Sequence, residues 1–349
     1  MVHRNTTGSL NIVAPSPTLS ISGFSTDLSL PRGVRDILPE RTARRNALIG
    51  KVLSVFESYE YSEVTTPFLE YLDVITQGAG KDLKKRIVKF TDRATGRSLS
   101  LRPDFTPQIA RIVATHYREK KKPVRLSYHG SVIRQTEDAS GGHKELYQAG
   151  IEFIGESSPE GDAEVISVAI EALKACGLKE FKVDIGQVDF VRGTLDEAGL
   201  PASKRGEVLD AISKKDISRL GEMTTGIGRE HKDVLTALPY LFGGEDILEK
   251  AEGLATNERS MEALKGIRSV VGILKKGDYS DYITLDLGEI RGFDYHTGII
   301  FEGFVSGFGS AVCGGGRYDN LLAGFGYPSP ATGFAIDVDN LMSAIERQS

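Results

Sequence analysis

Six polar side chains have the types that would surround a free amino acid. Carboxylate, hydroxyl and amide oxygens accept hydrogen bonds from an ammonium group or an imidazole N–H, and a guanidinium donates two parallel hydrogen bonds to a carboxylate. Taken singly, such residues are more often solvated or paired structural groups, but as an ordered set they predict an amino-acid pocket. The acceptors are Asp104, Thr106, Gln148 and Glu152, and the donors are Arg134 and Arg291.

The histidines and cysteines give little support to other chemistry. The six histidines show no HExxH or paired-ligand spacing, and Cys176 and Cys313 are the only cysteines. His143 and His296 have no orienting partner in the sequence, which favours a structural or solvent-facing role over a catalytic one. We therefore predict no catalytic residue, no metal site and no cofactor.

The composition of the 349 residues is that of a folded, soluble chain. The hydrophobic content is 40% and the charged content is 26%, and no apolar run approaches the roughly 20 residues of a membrane-spanning helix. The formal net charge of -5 gives no overall positive field that would capture nucleic acid. We therefore expect a cytoplasmic protein that binds neither membranes nor tRNA.

The hydrophobic pattern predicts an α+β fold with an antiparallel sheet flanked by helices. Strand-like segments follow one another through turns without a helix after each, which favours antiparallel over doubly wound pairing. Residues 1–28 are predicted to form a flexible extension, and residues 29–349 one main domain with a helical insertion at about 190–275. The predicted helices cover 43–59, 162–176 and most of 332–345, and the predicted strands cover 63–70, 86–90, 98–101, 124–130, 147–154, 181–185, 282–287, 298–304 and 310–316.

Six segments of the chain resemble the catalytic core of the class II aminoacyl-tRNA synthetases, and the histidyl branch in particular. The resemblance covers about residues 31–345, and the order and spacing of the segments argue against accidental agreement. The segments are Pro31-Arg32-Gly33-Val34-Arg35-Asp36, Thr66-Pro67, Leu101-Arg102-Pro103-Asp104-Phe105-Thr106, Ile133-Arg134 with Glu145-Leu146-Tyr147-Gln148-Ala149-Gly150-Ile151-Glu152, Arg291-Gly292-Phe293-Asp294-Tyr295-His296-Thr297-Gly298, and Gly315-Gly316-Arg317-Tyr318-Asp319-Asn320-Leu321.

The resemblance implies that this pocket is built around histidine. It implies that Asp104 takes the α-amino group, that Glu152 faces the imidazole, and that Tyr295 and His296 belong to the same pocket. Many synthetases have a second tyrosine where this chain has His296. The glycines at 314–316 would let a strand pass close to the ligand, because glycine has no β-carbon.

Three positions depart from the synthetase pattern in motifs 2 and 3, which serve ATP. Asn340 stands where motif 3 has an arginine, Gly142 where the motif 2 loop has one, and Thr136 where motif 2 has a glutamate. Activation of an amino acid by ATP depends on fixed cations that stabilise the negative charge developing on the phosphates. We therefore predict that the chain has lost the aminoacylation activity of the synthetases.

With these departures the chain resembles the family of regulatory subunits of ATP phosphoribosyltransferase, which catalyses the first step of histidine biosynthesis. The resemblance implies a non-catalytic subunit that forms a homodimer through motif 1, the dimer-interface motif that ends at Thr66-Pro67, and that joins short-form catalytic subunits in a hetero-octamer. It also implies L-histidine as the effector of feedback inhibition. Because the sequence stops at Ser349, a few residues beyond motif 3, we expect no anticodon-binding domain.

Two enzymes remain as alternatives. The first is a truncated or split histidyl-tRNA synthetase that activates histidine and borrows an anticodon-binding domain. The second is a free-standing synthetase paralogue that attaches an amino acid or a similar group to another acceptor. Both need the ATP site, so exchange of pyrophosphate into ATP in the presence of histidine would distinguish the synthetase from a regulatory subunit.

Overall fold

The computed structural model describes residues 28–77, 80–135, 143–290, 292–293 and 295–348. The predicted extension at 1–28 therefore lies, except for Leu28, outside the described residues. The helices are α1 (Pro39–Ser58), α2 (Leu72–Thr76), α3 (Lys81–Lys85), α4 (Thr106–His116), α5 (Pro159–Ala175), α6 (Val188–Glu197), α7 (Ala202–Ser213), α8 (Ile217–Met223), α9 (Arg229–Ala237), α10 (Asp246–Leu254), α11 (Glu258–Lys276) and α12 (Val338–Gln348). The strands are β1 (Ser62–Glu63), β2 (Leu69–Tyr71), β3 (Lys89–Thr91), β4 (Ser98–Leu101), β5 (Val124–Ile133), β6 (Glu145–Ile154), β7 (Phe181–Gln187), β8 (Phe242–Gly243), β9 (Ile283–Asp286), β10 (Ile299–Val305), β11 (Cys313–Arg317) and β12 (Ala331–Asp337).

A large mixed sheet has the strand order β1-β5-β6-β12-β11-β10-β7-β9-β8. All pairings from β5 across to β7 are antiparallel, whereas β1 pairs with β5, and β9 with β7, in parallel. A second sheet has the order β2-β4-β3 and is antiparallel throughout. The predicted α+β fold with an antiparallel sheet flanked by helices is therefore confirmed, with the addition of two parallel pairings toward the edges.

Helix α5 lies in the main hydrophobic core and packs against α1, α11 and the sheet. Its apolar residues surround the helix axis, and Ile166 and Ile170 have no exposed surface, as expected for a helix that is covered on all sides. A second core forms where α4 packs on β5 through Ile109 and Leu126. No helix among the described residues is both long enough and apolar enough to cross a bilayer.

The segment between β7 and β9 contains helices α6 to α11 and the short strand β8 at the edge of the large sheet. Side chains of α6 and α11, among them Phe190 and Leu264, are part of the main core. The segment is largely helical, as the sequence indicates, and its separate origin as an insertion stays a prediction.

Two predicted elements differ from the structure. The sequence predicts 332–345 as mostly helical, but residues 331–337 form β12, and α12 begins only at Val338. Strand β12 pairs on both sides and is buried along most of its length, so its apolar run lacks the alternation that marks a half-exposed strand. The predicted strand at 63–70 is divided into β1 and β2, with Pro67 in the break, because proline cannot donate to a sheet ladder.

Candidate functional site

A cavity of about 260 Å³ lies among β6, β10, β11, β12 and the loop that precedes β10. Carboxyl groups of Asp104, Glu152, Glu289 and Glu302 line it, and the described lining residues include no lysine or arginine. In the part of the chain that the structure describes, no group of three His, Cys, Asp or Glu side chains is placed to hold a metal ion. The walls therefore offer mainly hydrogen-bond acceptors, which suit a ligand that brings donors and positive charge.

The Glu152 carboxyl is the most deeply buried acid of the cavity. It projects from β6 with 1% of its surface exposed. Thr106 Oγ1 lies within hydrogen-bond distance of Glu152 Oε1, at 2.6 Å, and the Tyr318 hydroxyl donates to Glu152 Oε2. Burial raises the pKa of Glu152 to about 8, because desolvation outweighs these two neutral hydroxyl groups. This carboxyl group therefore favours its protonated form unless a cation enters the cavity.

Asp104 is positioned by the start of helix α4. Its Oδ1 accepts the backbone N–H of Thr106 at 3.1 Å and lies 3.2 Å from Thr106 Oγ1. Arg134 Nη2 lies 3.7 Å from Asp104 Oδ2, while Arg134 Nε donates to the Pro103 carbonyl at 2.7 Å. The backbone N–H, the start of helix α4 and this arginine therefore hold the Asp104 side chain in place at the cavity. A carboxyl group at this position suits an ammonium group.

Tyr295 and His296 enter the cavity from the loop before β10. His296 Nδ1 lies 3.3 Å from the Arg317 carbonyl oxygen, so it carries the hydrogen, and Nε2 is left as an acceptor. Burial lowers the pKa of His296 to about 4, which keeps the ring neutral. The Tyr295 ring stacks on Tyr318 at 5.3 Å, and its buried hydroxyl has no hydrogen-bond partner among the described residues. Because an unpaired buried hydroxyl is costly, Tyr295 is a candidate contact for a ligand.

Glycines on the two central strands make room for the buried carboxyl group. At Gly333 an added β-carbon would overlap Glu152 Oε2 and the Ile151 carbonyl oxygen. At Gly315 it would overlap the backbone of Gly333 and the side chain of Phe334 on the neighbouring strand. The close approach of β6, β12 and β11 at this point therefore requires glycine.

The structure brings together most of the side chains that the sequence predicts for the pocket. Arg134 contacts Asp104 but does not line the cavity, and Gln148 lies on β6, four residues before Glu152, away from the lining. Arg291 lies outside the described residues, as do Thr136 and Gly142 of motif 2. The predicted residues that line the cavity are Asp104, Thr106, Glu152, Tyr295 and His296.

Four further lining residues with polar side chains were not predicted as site residues. Tyr318 directly follows the glycine-rich strand β11, and its place in the synthetase-like segment 315–321 could have indicated that it belongs to the pocket. Glu289 and Glu302 carry no local signal, because an acidic residue at the end of one strand or within another is usually solvated. Tyr128 stacks on Phe105 at 4.3 Å and is indistinguishable in sequence from other core aromatics.

The first turn of α12 contains Asn340 at the position of the motif 3 arginine. Its Nδ2 donates to the Ala311 carbonyl at 3.0 Å, and its backbone N–H donates to Asp337 at 2.9 Å. The preceding Asp339 pairs with Arg35 Nη2 at 3.0 Å. Asn340 is therefore committed to hydrogen bonds within the protein, and the adjacent arginine is already paired with a carboxylate.

The nine-stranded sheet, the flanking helices and the acid-lined cavity define a core of the class II aminoacyl-tRNA synthetase type. A family model described as histidyl-tRNA synthetase matches residues 33–341. The ATP phosphoribosyltransferase regulatory subunit of Geobacter sulfurreducens is 46% identical over 91% of this chain and 73% of its own length. That of Geobacter metallireducens is 47% identical over 91% of this chain and 74% of its own length.

A solved structure from Bacillus halodurans gives the same result at the level of the fold. It is described as an ATP phosphoribosyltransferase regulatory subunit/histidyl-tRNA synthetase, and it matches with a TM-score of 0.84 at 33% identity, over 91% of this chain and 83% of that one. The chain belongs to the family of ATP phosphoribosyltransferase regulatory subunits, a branch of the histidyl-tRNA synthetase family.

Proposed function

We propose that this chain is a non-catalytic regulatory subunit that makes a short-form ATP phosphoribosyltransferase subunit active and transmits its feedback inhibition by L-histidine. The observation that carries the proposal is the acid-lined cavity. A ligand with an ammonium group and a ring N–H would find acceptors on several sides, whereas a phosphate group there would face carboxyl groups. The cavity therefore suits histidine as an effector and does not suit a triphosphate.

Histidine has one complementary group for each part of this site. Its ammonium group suits Asp104, and its imidazole suits Glu152 and the unpaired hydroxyl of Tyr295. Its carboxylate needs a guanidinium, for which Arg134 and Arg291 are the candidates. The proposed histidine-binding set is Asp104, Thr106, Arg134, Gln148, Glu152, Arg291, Tyr295 and His296.

The contacts of Asn340 support a subunit without chemistry of its own. A charge-assisted hydrogen bond between an arginine and a phosphate contributes about 1.5 to 3 kcal/mol, and a neutral amide that is already bonded to the Ala311 carbonyl does not replace it. Loss of the motif 3 cation favours a regulatory role over a truncated histidyl-tRNA synthetase. By the same argument the protein has no need of tRNA, and we expect it in the cytoplasm with the enzyme that it regulates.

The small sheet β2-β4-β3 supports assembly through motif 1. Its inward face carries the buried Glu70 and Ser100, while Leu69 and Phe90 on its outward face are 45% and 43% exposed. An outward apolar face of this kind marks a protein interface. We assign it to a homodimer, and the homodimer in turn to a hetero-octamer with the catalytic subunits.

Reconstitution with a short-form catalytic subunit tests the proposal. Phosphoribosyl transfer to ATP should require this chain, and L-histidine should inhibit the complex. Glu152→Ala and Asp104→Ala should weaken inhibition and leave activation intact, whereas Glu262→Ala, at an exposed pair with Lys265 on α11, should change neither. Unchanged inhibition in both cavity variants would place the effector elsewhere. Robust exchange of pyrophosphate into ATP with histidine would contradict the non-catalytic role.

A further inference from the structure

Glu152, Thr106 and Asp104 form a continuous hydrogen-bonded chain in the cavity wall. The Thr106 hydroxyl lies 2.6 Å from Glu152 Oε1 and 3.2 Å from Asp104 Oδ1. A hydroxyl has one hydrogen and can donate it to only one of these two carboxyl oxygens. A proton on Glu152 satisfies the whole chain, because Glu152 then donates to Thr106 and Thr106 donates to Asp104.

The charges around this chain also favour one stored proton. The Asp104 carboxyl group has a cation close by, because Arg134 Nη2 lies 3.7 Å from its Oδ2 atom. The two partners of Glu152 given by the structure, Thr106 and Tyr318, are neutral hydroxyls. Since an ionised carboxylate with 1% exposure and only neutral partners among the described residues is strongly disfavoured, Glu152 favours the neutral form in the unliganded protein.

Several elements packed against Glu152 contribute titratable groups. From the loop before α4 comes the carboxylate of Asp104, and from β5 and the loops before β10 and after β11 come phenol and imidazole groups that stay neutral. Glu289 and Glu302 place two further carboxyl groups at the cavity wall. The titratable and charged groups that the described residues place around this site are Asp104, Tyr128, Arg134, Glu289, Tyr295, His296, Glu302 and Tyr318.

We infer that the Glu152–Thr106–Asp104 chain stores one proton in the unliganded cavity, and that an amino acid with a positive ammonium group and a neutral ring displaces this proton into solvent when it binds. The O–H bond of Glu152 breaks and the proton passes to the buffer. The ammonium group at Asp104 supplies the compensating positive charge to the chain, and the neutral ring donates its N–H to the Glu152 carboxylate. Effector binding is thereby linked to pH. The inference rests on the proposed function, which supplies L-histidine as the probe.

The number of protons released on binding follows from the pKa of Glu152. Burial raises the pKa of Glu152 to about 8, so below that value each bound ligand releases close to one proton. The affinity for L-histidine should then rise about fivefold between about pH 7 and about pH 8, because the ionised fraction of a group with a pKa of about 8 rises from about one tenth to about one half. Glu152→Gln keeps the shape and hydrogen bonding of the side chain without an ionisable proton, so its affinity should not change with pH over this interval.

Calorimetric titration of the full chain with L-histidine tests the inference. At about pH 7 the binding enthalpy should differ between phosphate and Tris buffers by the heat of transferring about one proton to the buffer. The Glu152→Gln variant should give equal enthalpies in both buffers, and Thr106→Ser, which keeps the hydroxyl, should release the proton as the wild type does.

The outcomes separate this inference from the proposed function. Binding with equal enthalpies in both buffers overturns the stored proton and leaves the effector site intact, whereas absence of binding overturns both. If Glu152→Gln fails to fold, infrared spectroscopy of the unliganded wild type replaces it. The carbonyl stretch of a protonated carboxyl group should be present near neutral pH and should disappear when L-histidine is added. A spectrum without that band overturns the inference.

Discussion

The carboxyl group of Glu152 occupies the space that a β-carbon would take at Gly333, its partner across the β6–β12 pairing. The two residues come from different motifs of the sequence, and the buried acid depends on the absent side chain. The Glu152 carboxyl group therefore fits in the cavity only because the neighbouring strand has a glycine at this position.

Gly333→Ala should damage both the fold and the site. The added methyl group would overlap Glu152 Oε2 and the Ile151 carbonyl oxygen, and the backbone of β6 cannot yield easily because both of its edges are paired. We expect a loss of about 1 to 3 kcal/mol in the free energy of unfolding, measured by urea denaturation, and weaker binding of L-histidine in calorimetry.

Gly272→Ala is the matched control for this substitution. Gly272 lies within helix α11, and a β-carbon there would meet no neighbouring atom within 4 Å. Alanine should stabilise the helix by about 0.5 to 1 kcal/mol. A Gly333→Ala protein as stable as the wild type would show that the strands separate without cost, contrary to the close approach seen here.

Glu152 and His296 should give opposite pH dependences of stability. Burial raises the pKa of Glu152 from 4.5 to about 8, so the folded chain holds a proton that the unfolded chain loses, and stability falls as the pH rises through this window. Burial lowers the pKa of His296 from 6.5 to about 4, so the unfolded chain binds the extra proton, and stability falls as the pH decreases through that window.

The two effects overlap between pH 4.5 and 6.5 and oppose each other there. Glu152→Gln removes one of them, so its free energy of unfolding, relative to wild type, should increase with pH by up to about 1.4 kcal/mol per unit. His296→Asn should show the reverse slope. Urea denaturation at several pH values measures both, and parallel curves for Glu152→Gln and wild type would contradict the prediction.

Arg317 and Asp162 form a buried ion pair that joins β11 to the first turn of α5. Their side chains are 7% and 8% exposed, and the two guanidinium–carboxylate contacts are 3.0 and 2.9 Å. Arg317→Met would leave Asp162 as an uncompensated buried charge, so we expect a loss of about 3 to 5 kcal/mol in the free energy of unfolding.

Adding Asp162→Leu to Arg317→Met should restore much of this loss, because replacing both members of a buried pair is far less costly than replacing one. Lys265→Met serves as the control, since its partner Glu262 is exposed and the pair is screened by solvent, so stability should hardly change. Equal losses in the single and double variants would contradict this account.

The sequence allowed the fold class and much of the cavity to be predicted, because local pattern and motif order suffice for both. Asp104 and Thr106 are adjacent to a helix start, and Glu152 lies on a strand with a clear apolar pattern. Glu152 is far from Asp104 and Thr106 along the chain, but the resemblance to the synthetase motifs predicted that the three residues share one pocket.

Other features depend on tertiary packing and left no local trace. The strand β12 was predicted as helix because its neighbours cover it on both sides, and the role of Gly333 appears only when β6 lies beside it. Glu289 and Glu302 reach the cavity through the pairing of β10 and the path of the loop before it. Such contacts arise between elements and are absent from any short segment.

The outward face of the small sheet β2-β4-β3 is largely apolar. Residue pairing places Leu69 opposite Leu101, and Phe90 opposite Leu99, on the face turned away from the core. The opposite face carries Glu70, which receives hydrogen bonds from α4. The usual arrangement of polar side out and apolar side in is therefore inverted, as expected where a second copy of the chain covers the sheet.

Phe90→Asp should convert the proposed dimer into a monomer with little effect on folding. The side chain is 43% exposed, so an aspartate remains solvated in the monomer, whereas in the dimer two uncompensated carboxylates would be buried. Tyr240→Asp is the control, because Tyr240 is 68% exposed and lies next to β8 at the far edge of the large sheet. Light scattering coupled to size-exclusion chromatography measures the mass of each variant. A dimer that survives Phe90→Asp but dissociates with Tyr240→Asp would move the interface to the β8 edge and away from motif 1.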